Sequence, residues 1–593
     1  MSETGIRAAA VVDVEASAEG APAPMNPADP YVREAQTFPR LTDEQLERAQ
    51  AFGNVEDLEP GTVLFERGDH TVDFFIVLHG QIEIFEIGYD GASKVITVHG
   101  EKQFTGELDL FNDRLILVGG RIGTEGSRVI RMSRPAFRRL LAAEPDIGEL
   151  VMRAFILRRV GFIEHQQAGV TLVASHREGV GDSLRIQRFL GRNGYPVRHL
   201  EVERDGVEGD QARAVLDGYG FGQDDLPIVL CGPDRVLRNP DNAELGACLG
   251  ITEDVAAGAL FDLVVVGAGP AGLASAVYGA SEGLNTLVLE AEAPGGQAGT
   301  SSRIENYLGF PTGVSGQALA GRAQIQAQKF GARIAVPRTV VRLECAARPY
   351  ALHLDNGTVV RAGAVVIATG ASYRKLDDLP NFDRFAGGNG IHWAATAIEA
   401  GLCEREEIIV VGGGNSAGQA AVFLSRYAAG VHMLVRSEGL AASMSDYLVG
   451  RIEASDRITL HTQTEITGLI GDRYLERVRW RNSLTGAEEE HAISNVFLML
   501  GAVPNTAWLD GCGITLDLAG FVQVGAAAGP GWDGRQPHTL ETSKPGIFAV
   551  GDVRAGSVKR VASAVGEGAV VVSSVHQVLA GESDGTTAAL RPT

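Results

Sequence analysis

Phe261-Asp-Leu-Val-Val-Val-Gly267-Ala-Gly269-Pro-Ala-Gly272-Leu273 decides how this 593-residue chain is read. An apolar run of strand length passes straight into G-x-G-x-x-G and then into small residues that suit a helix. The first glycine permits a tight turn, the second lets the backbone approach a pyrophosphate, and the third lets helix pack on strand; the helix N-terminus favours an anion. A second apolar run, Asn285–Leu289, ends in Glu290, 23 residues after Gly267, where a carboxylate can accept from ribose hydroxyls. The glycines alone are a weak signal, but strand, glycines, helix, strand and acid together point to a dinucleotide site.

The pattern recurs once. Ile408-Ile-Val-Val-Gly412-Gly-Gly414-Asn415-Ser416-Ala417 repeats strand, glycine turn and helix, and Val431–Val435 supplies the next strand. Arg436 stands where the acid is expected. A guanidinium there suits a 2′-phosphate, which favours NADPH and leaves NADH open.

Working outward, residues 1–40 are rich in Ala, Pro, Glu and Ser without a sustained period and read as a mobile tail. Residues 41–168 hold short β-like runs, Thr62–Phe65, Phe74–Leu78, Gln81–Ile87 and Lys94–Val98, then one helical stretch, Arg134–His165. They predict a β-sandwich or roll followed by a helix. Residues 169–251 alternate strand and helix and predict a small α/β layer. Residues 252–260 read as a linker, 261–580 as one large α/β assembly and 581–593 as a polar tail. The fold class is therefore α/β and multidomain. Net charge is −22, which disfavours nucleic acid and anionic membranes as partners. No apolar run is long enough to span a bilayer and no signal peptide is evident, so a cytoplasmic location is expected. The five cysteines, Cys231, Cys248, Cys345, Cys403 and Cys512, form no C-x-x-C, so neither a disulfide framework nor a metal site is expected.

Further motifs make the large assembly specific: Gly295-Gly296-Gln297, Ile304-Glu-Asn306-Tyr-Leu-Gly-Phe-Pro311, Ile367-Ala-Thr369-Gly370, Gly501-Ala-Val-Pro504-Asn505-Thr506 and Thr542-Ser-Lys-Pro-Gly-Ile-Phe-Ala-Val-Gly551-Asp552-Val553. Arg560-Val561-Ala562 occupies the place of an Arg-Gln-Ala. In this order they resemble the low-molecular-weight thioredoxin reductases. The resemblance implies two Rossmann-type domains, an FAD domain (261–380 and 500–580) split by an NAD(P)H domain (381–499). It implies FAD contacts at Gly267, Gly269, Pro270, Ala271, Gly272, Glu290, Gly296, Gln297, Asn306, Thr369, Gly370, Gly551, Asp552, Arg560, Val561 and Ala562. It implies NADPH contacts at Gly412, Gly414, Asn415, Ser416, Ala417 and Arg436, and a homodimer. Ser437 and Ala441 stand where the family often has further arginines, so only a modest preference for NADPH is expected.

One family feature is missing. Counting back from Gly412, the redox C-x-x-C falls on Ala395-Thr396-Ala397-Ile398, with Glu399 at the following acid. Dithiol chemistry needs an attacking and a resolving sulfur. Glu399 is a candidate proton donor, weighed against a solvated glutamate. Residues 169–251 resemble a thioredoxin or glutaredoxin domain, with Asp225-Leu-Pro227-Ile-Val similar to its cis-proline strand, yet Ser175–Asp182 stands in place of its redox motif and holds no cysteine. Cys231 and Cys248 read as small core residues there, and His176 as a surface histidine. Residues 41–168 resemble a cyclic-nucleotide-binding domain through Leu58–Gly61, Leu64–Asp69, Phe75–Gly80 and Phe104-Thr-Gly106-Glu107-Leu108. The resemblance implies a cyclic nucleotide held by Gly106, Glu107, Leu108 and Arg114, in a pocket crowded by Leu115 and Ile116. The expected activity is hydride transfer from NADPH to FAD and on to an unidentified acceptor, a redox protein or small molecule. Thioredoxin-disulfide reduction and a redox sensor with little turnover are the alternatives.

Overall fold

The computed structural model describes residues 30–69, 72–87, 93–106, 116, 118–165, 169–175, 180–232, 235–301, 303–376, 378–440, 444–529 and 536–583. Its N-terminal part is a roll of two four-stranded antiparallel sheets. One runs Asn54–Leu58, Ser127–Met132, Phe74–His79, Phe104–Thr105; the other runs Val63–Phe65, Gly119–Ile122, Ile82–Ile87, Ser93–His99. Phe74, Phe75, Ile76 and Val77 are all buried in sequence, because sheet and helices cover both faces of that strand.

Two expectations change here. The single helix expected over Arg134–His165 is two, Arg134–Ala143 and Pro145–Glu164. Pro145 disfavours helical backbone at the residue before it, and Glu144 takes φ −121° and ψ 80°. The tail expected over 1–40 is folded from Pro30: Pro30–Arg33 and Glu34–Thr37 are short helices, and Thr37 is buried. Arg158 anchors them, donating from Nε to the Thr37 carbonyl (2.8 Å) and from Nη1 to the Phe104 carbonyl (3.0 Å) while stacking on Phe38 and Phe104.

The small α/β unit has strand order Val197–Glu201, Val170–Ala174, Ile228–Gly232, Arg235–Arg238, the first pair parallel and the others antiparallel. Helices Val180–Arg192, Val207–Tyr219 and Asn242–Cys248 accompany it, and Leu226–Pro227 is cis.

The first glycine turn leaves a seven-stranded sheet. Strands Arg333–Ala335, Thr286–Leu289, Leu260–Val266, Val359–Ile367 and Ile547–Ala549 are parallel, and Tyr350–Leu354 and Val340–Glu344 complete it antiparallel. The second leaves a five-stranded parallel sheet, in order Ile391–His392, Val496–Leu498, Glu407–Val411, Gly430–Leu434, Ile458–His461, with a three-stranded antiparallel sheet beside it. The backbone crosses between these units through a ribbon of Ala371–Tyr373 against Ala502–Pro504.

Apolar burial joins the parts unequally. Val170, Leu172, Ile186, Phe189, Val229 and Leu245 of the small unit belong to the same buried cluster as Leu263, Val265, Val288, Ile334 and Val366 of the first Rossmann unit. Those two parts should unfold together. Leu172→Ala removes a fully buried side chain and is expected to cost about 2–5 kcal/mol. All four tryptophans (Trp393, Trp480, Trp508, Trp532) lie beyond the small unit. A thermal melt followed by tryptophan fluorescence should therefore still shift downward in Leu172→Ala; an unchanged melt would mean the two parts unfold independently.

Candidate functional site

Both glycine turns open into one cavity of about 2210 Å³. At the first, Gly267 has φ +102°, and a Cβ there would strike the Ala368 carbonyl of the neighbouring strand. Gly412 repeats this at the second, with φ +139° and the Met499 carbonyl in the way. Gly269 and Gly414 differ in kind: a Cβ on either meets nothing within 4 Å, so each leaves its backbone open to the cavity. Gly272 is required because a Cβ would run into the Gly267 carbonyl, whereas Ala417 is accommodated, fully buried. Gly269 and Gly414 are the N-caps of helices Pro270–Ser281 and Asn415–Leu424, and neither helix has a side-chain cap. Their first N–H groups are thus available to an anion.

The remaining residues arrange around these cradles. Glu290, at the end of Thr286–Leu289, lines the cavity and accepts backbone N–H groups from Ala268 (2.7 Å), Glu292 (2.9 Å) and Ala293 (3.2 Å). Burial raises its pKa, against those donors and the charge of Arg192. Gln297 donates to the Ala371 carbonyl; Pro270, Ala271, Gly296, Asn306, Thr369, Gly370, Gly551, Asp552, Arg560 and Val561 all reach the same cavity. Gly272 and Ala562 do not line it, Gly272 being spent on helix–strand packing. Burial also raises the pKa of Asp552, with Lys559 opposing. On the second side Asn415 and Ser416 line the cavity, and the Asn415 Oδ1 accepts from Ser445 N at 2.8 Å. Arg436 is exposed at the cavity wall and makes no ion pair among the described residues. Ala441 lies outside the described residues.

The stretch that replaces the dithiol starts the helix Ala397–Leu402, capped by Thr396. Glu399 is not solvated as expected. It is 0% exposed, its Oε1 accepts from Arg188 Nε at 2.6 Å, and its Oε2 accepts from Thr396 N at 2.8 Å and from the Thr396 hydroxyl. Burial opposes its charge, but Arg188 and the Thr396 donors prevail and hold the pKa below the ordinary carboxylate range. An ionised carboxylate whose oxygens are all engaged is poorly placed to donate a proton. No local signal announces this pair, because Arg188 is 211 residues away in sequence, on the Val180–Arg192 helix.

The cysteines also differ from expectation. Cys231–Cys248 and Cys345–Cys512 are paired as disulfides, with Cα separations of 6.4 and 5.7 Å. The second pair joins residues 167 apart, which spacing alone cannot announce. None of the five lines the cavity. Cys403 is buried, donates to the Glu399 carbonyl at 3.2 Å, and burial with Glu406 and Glu399 pushes its thiol pKa up to about 12. It is an unreactive thiol at neutral pH.

Arg188 and Arg192 reach the cavity wall without any local motif to announce them, and Asn505 of the Gly501–Thr506 motif joins them there. Arg192 pairs with Glu292 (2.7 Å) and donates to the Gly296 carbonyl (3.1 Å). Asn505 donates to the Thr369 carbonyl (2.9 Å) and accepts from the Ser372 hydroxyl (2.7 Å), tying two quoted motifs together. In the N-terminal roll, Gly106 has φ +92° and sits against the Asp73 carbonyl; Ile116 is buried. Glu107, Leu108, Arg114, Leu115 and His176 lie outside the described residues.

With two strand–glycine–helix cradles facing one cavity, comparison with known proteins settles the family. Residues 261–568 match the model of the pyridine nucleotide-disulphide oxidoreductases. The chain belongs to that family. Residues 55–144 match the cyclic nucleotide-binding domain. The chain is 32% identical over 324 residues to a thioredoxin reductase of Streptomyces coelicolor, covering 54% of this chain and 95% of that one. It is 31% identical over 325 residues to NADPH-dependent thioredoxin reductase 3 of Arabidopsis thaliana, covering 54% and 58%. A crystal structure of Lactococcus lactis thioredoxin reductase aligns with 28% identity and TM-score 0.49 over 54% of this chain and 99% of that one. This pyridine nucleotide-disulphide oxidoreductase is thus of thioredoxin-reductase type, fused to a cyclic nucleotide-binding domain. Among the described residues no helix is long and apolar enough to cross a membrane.

Proposed function

We propose that this oxidoreductase uses NADPH and FAD and delivers electrons to an acceptor other than an internal dithiol. When bound, the two cofactors supply the hydride chemistry between them. The chain's part is to hold and orient them. Gly269, Gly296 and the open N-terminus of Pro270–Ser281 would take the FAD pyrophosphate, Glu290 the ribose, Asp552 the ribityl or phosphate groups, and Gln297 and Asn306 the flavin side; Gly414, Asn415 and Ser416 would take the NADPH pyrophosphate. The open cradles at Gly269 and Gly414 fit this use, since both face the cavity and neither helix has a side-chain cap that competes for its first N–H groups.

One observation carries the choice of acceptor: the Ala395–Ile398 stretch has no sulfur, and no cysteine lines the cavity that both cradles share. The acceptor is then a redox protein without a dithiol requirement or a diffusible small molecule. Thioredoxin-disulfide reduction is the rival, favoured by the thioredoxin reductases among its relatives. A cytoplasmic location and a homodimer belong to the same proposal. Replacing Cys231, Cys248, Cys345, Cys403 and Cys512 with alanine separates the two readings. NADPH turnover with ferricyanide and quinones should persist within about threefold, less than 1 kcal/mol of transition-state stabilisation. Robust thioredoxin reduction in the parent that disappears in the variant would establish a cysteine relay instead.

Arg436 at the end of the second unit's ribose strand supports NADPH over NADH, with Ser437 and Ala441 limiting the preference. Arg436→Glu should erase the preference, about tenfold or less at roughly 1 kcal/mol for an exposed charge pair. Stopped-flow flavin reduction by each nucleotide reads it, and equal rates in the parent would remove Arg436 from the site.

The match over 55–144 favours a regulatory reading of the N-terminal roll. Cyclic nucleotide held at Gly106, Glu107, Leu108 and Arg114 would modulate the reductase by no more than its differential affinity for two states. Calorimetry with cyclic AMP and cyclic GMP is expected to give binding heat. Silence at millimolar ligand would leave the roll a scaffold.

A further inference from the structure

We propose that the Arg188–Glu399 ion pair is a latch through which the small α/β unit sets the orientation of the NAD(P)H-binding unit against the FAD-binding unit. Arg188 and Glu399 are then positioning residues for hydride transfer. The inference rests on the reading of the two glycine cradles given above.

The small unit shares one buried apolar cluster with the FAD-binding unit, so those two move as one body. The NAD(P)H-binding unit has clusters of its own, built on Ile408, Val410 and Phe497 and on Ile409, Leu434 and Trp480, with no residue from the small unit. Its backbone attachment is the ribbon pairing Ala371, Ser372 and Tyr373 with Pro504, Val503 and Ala502. A three-pair ribbon leaves a folded unit of that size free to swing unless side chains hold it.

Among the described residues, two ion pairs join it to the rest of the molecule. Arg451 meets Glu305 at 2.7 Å, but their side chains are 48% and 26% exposed, and such pairs contribute little in water. Arg188 and Glu399 meet at 2.6 Å with side chains 25% and 0% exposed. A buried carboxylate that loses its cation is left with its desolvation uncompensated, so undocking is opposed only while both charges are present. Shape reinforces charge. A Cβ on Gly388 would lie 2.8 Å from Leu184 Cδ1, and one on Gly181 would lie 3.1 Å from the Gly387 carbonyl. The helix bearing Arg188 thus seats its N-terminal end against bare backbone of the NAD(P)H-binding unit.

Glu399 transmits that seat to the stretch beside the cavity. Its second oxygen holds Thr396, so the cation from the small unit fixes the start of the helix Ala397–Leu402. Thr396, Ala397 and Ile398 line the cavity shared by both cradles. Hydride transfer is sensitive to displacements of about an ångström between the reacting groups, so the orientation of this unit controls its rate.

The test uses the full chain with Arg188→Met, Glu399→Gln and the double variant. Bound FAD should equal that of the parent. Each single variant should slow flavin reduction at saturating NADPH about tenfold and raise hydrogen–deuterium exchange in the ribbon and in residues 386–399. The double variant should be no slower than the worse single variant, because only one interaction is lost. Arg188→Lys, which keeps the charge, should recover part of the rate, and it replaces Arg188→Met should that variant fail to fold. Single variants that keep FAD and match the parent in both rate and exchange would overturn the latch, as would faster reduction. Exchange needs no bound nucleotide, so a parent without flavin would refute the cofactor reading and leave the latch separately readable.

Discussion

The strand Leu260–Val266 must end against another backbone, and much of this structure follows from that constraint. It lies between Thr286–Leu289 and Val359–Ile367 in a parallel sheet, and its turn brings Gly267 against the Ala368 carbonyl. No side chain fits there. The same carbonyl contact recurs at Gly412 and Met499 in the second unit. In both places the tight turn delivers an uncapped helix N-terminus to the cavity, and polar backbone that would be a liability in the core becomes a binding surface.

Around that constraint the molecule divides its adhesion into two kinds. Apolar burial fuses the small α/β unit to the first Rossmann unit, while polar contacts and a short ribbon connect the second. Apolar seams are non-directional and tolerate no water, so they fix bodies together; a single ion pair is directional and can be broken and remade. The helix Val180–Arg192 of the small unit carries an arginine-bearing face. Arg185, Arg188 and Arg192 all reach the cavity wall, and Arg188 and Arg192 pair with carboxylates of the two Rossmann units.

The N-terminal roll joins the same body by different means. Arg67, two residues beyond the strand Val63–Phe65, donates to the Gly169 carbonyl (3.2 Å) and the Cys231 carbonyl (2.8 Å) of the small unit. Burial lowers the Arg67 pKa, a sign that this guanidinium gives up water to make the junction. The roll, the small unit and the first Rossmann unit are thereby contiguous through packed or hydrogen-bonded groups.

The fold was legible wherever local chemistry is periodic or sterically compulsory. The two glycine turns, the strand lengths, the order of units and Glu290 at the end of its strand could all be read from neighbours in sequence. So could the absence of sulfur at Ala395–Ile398, because it needs only an inventory. Even the break at Glu144 has a local cause, in Pro145. Tertiary structure alone decided the rest. Glu399 looked like a solvated acid until a helix from 211 positions away placed a guanidinium on it. Cys345 and Cys512 looked unrelated until the end of strand Val340–Glu344 met the turn after Ala507–Leu509, and Pro30–Phe38 looked like a tail until Arg158 reached its carbonyl. Backbone turns and periodicity are enforced by atoms a few bonds apart, so sequence declares them. The partner of a buried charge or thiol is chosen by which surfaces pack together, and no stretch of sequence contains that choice.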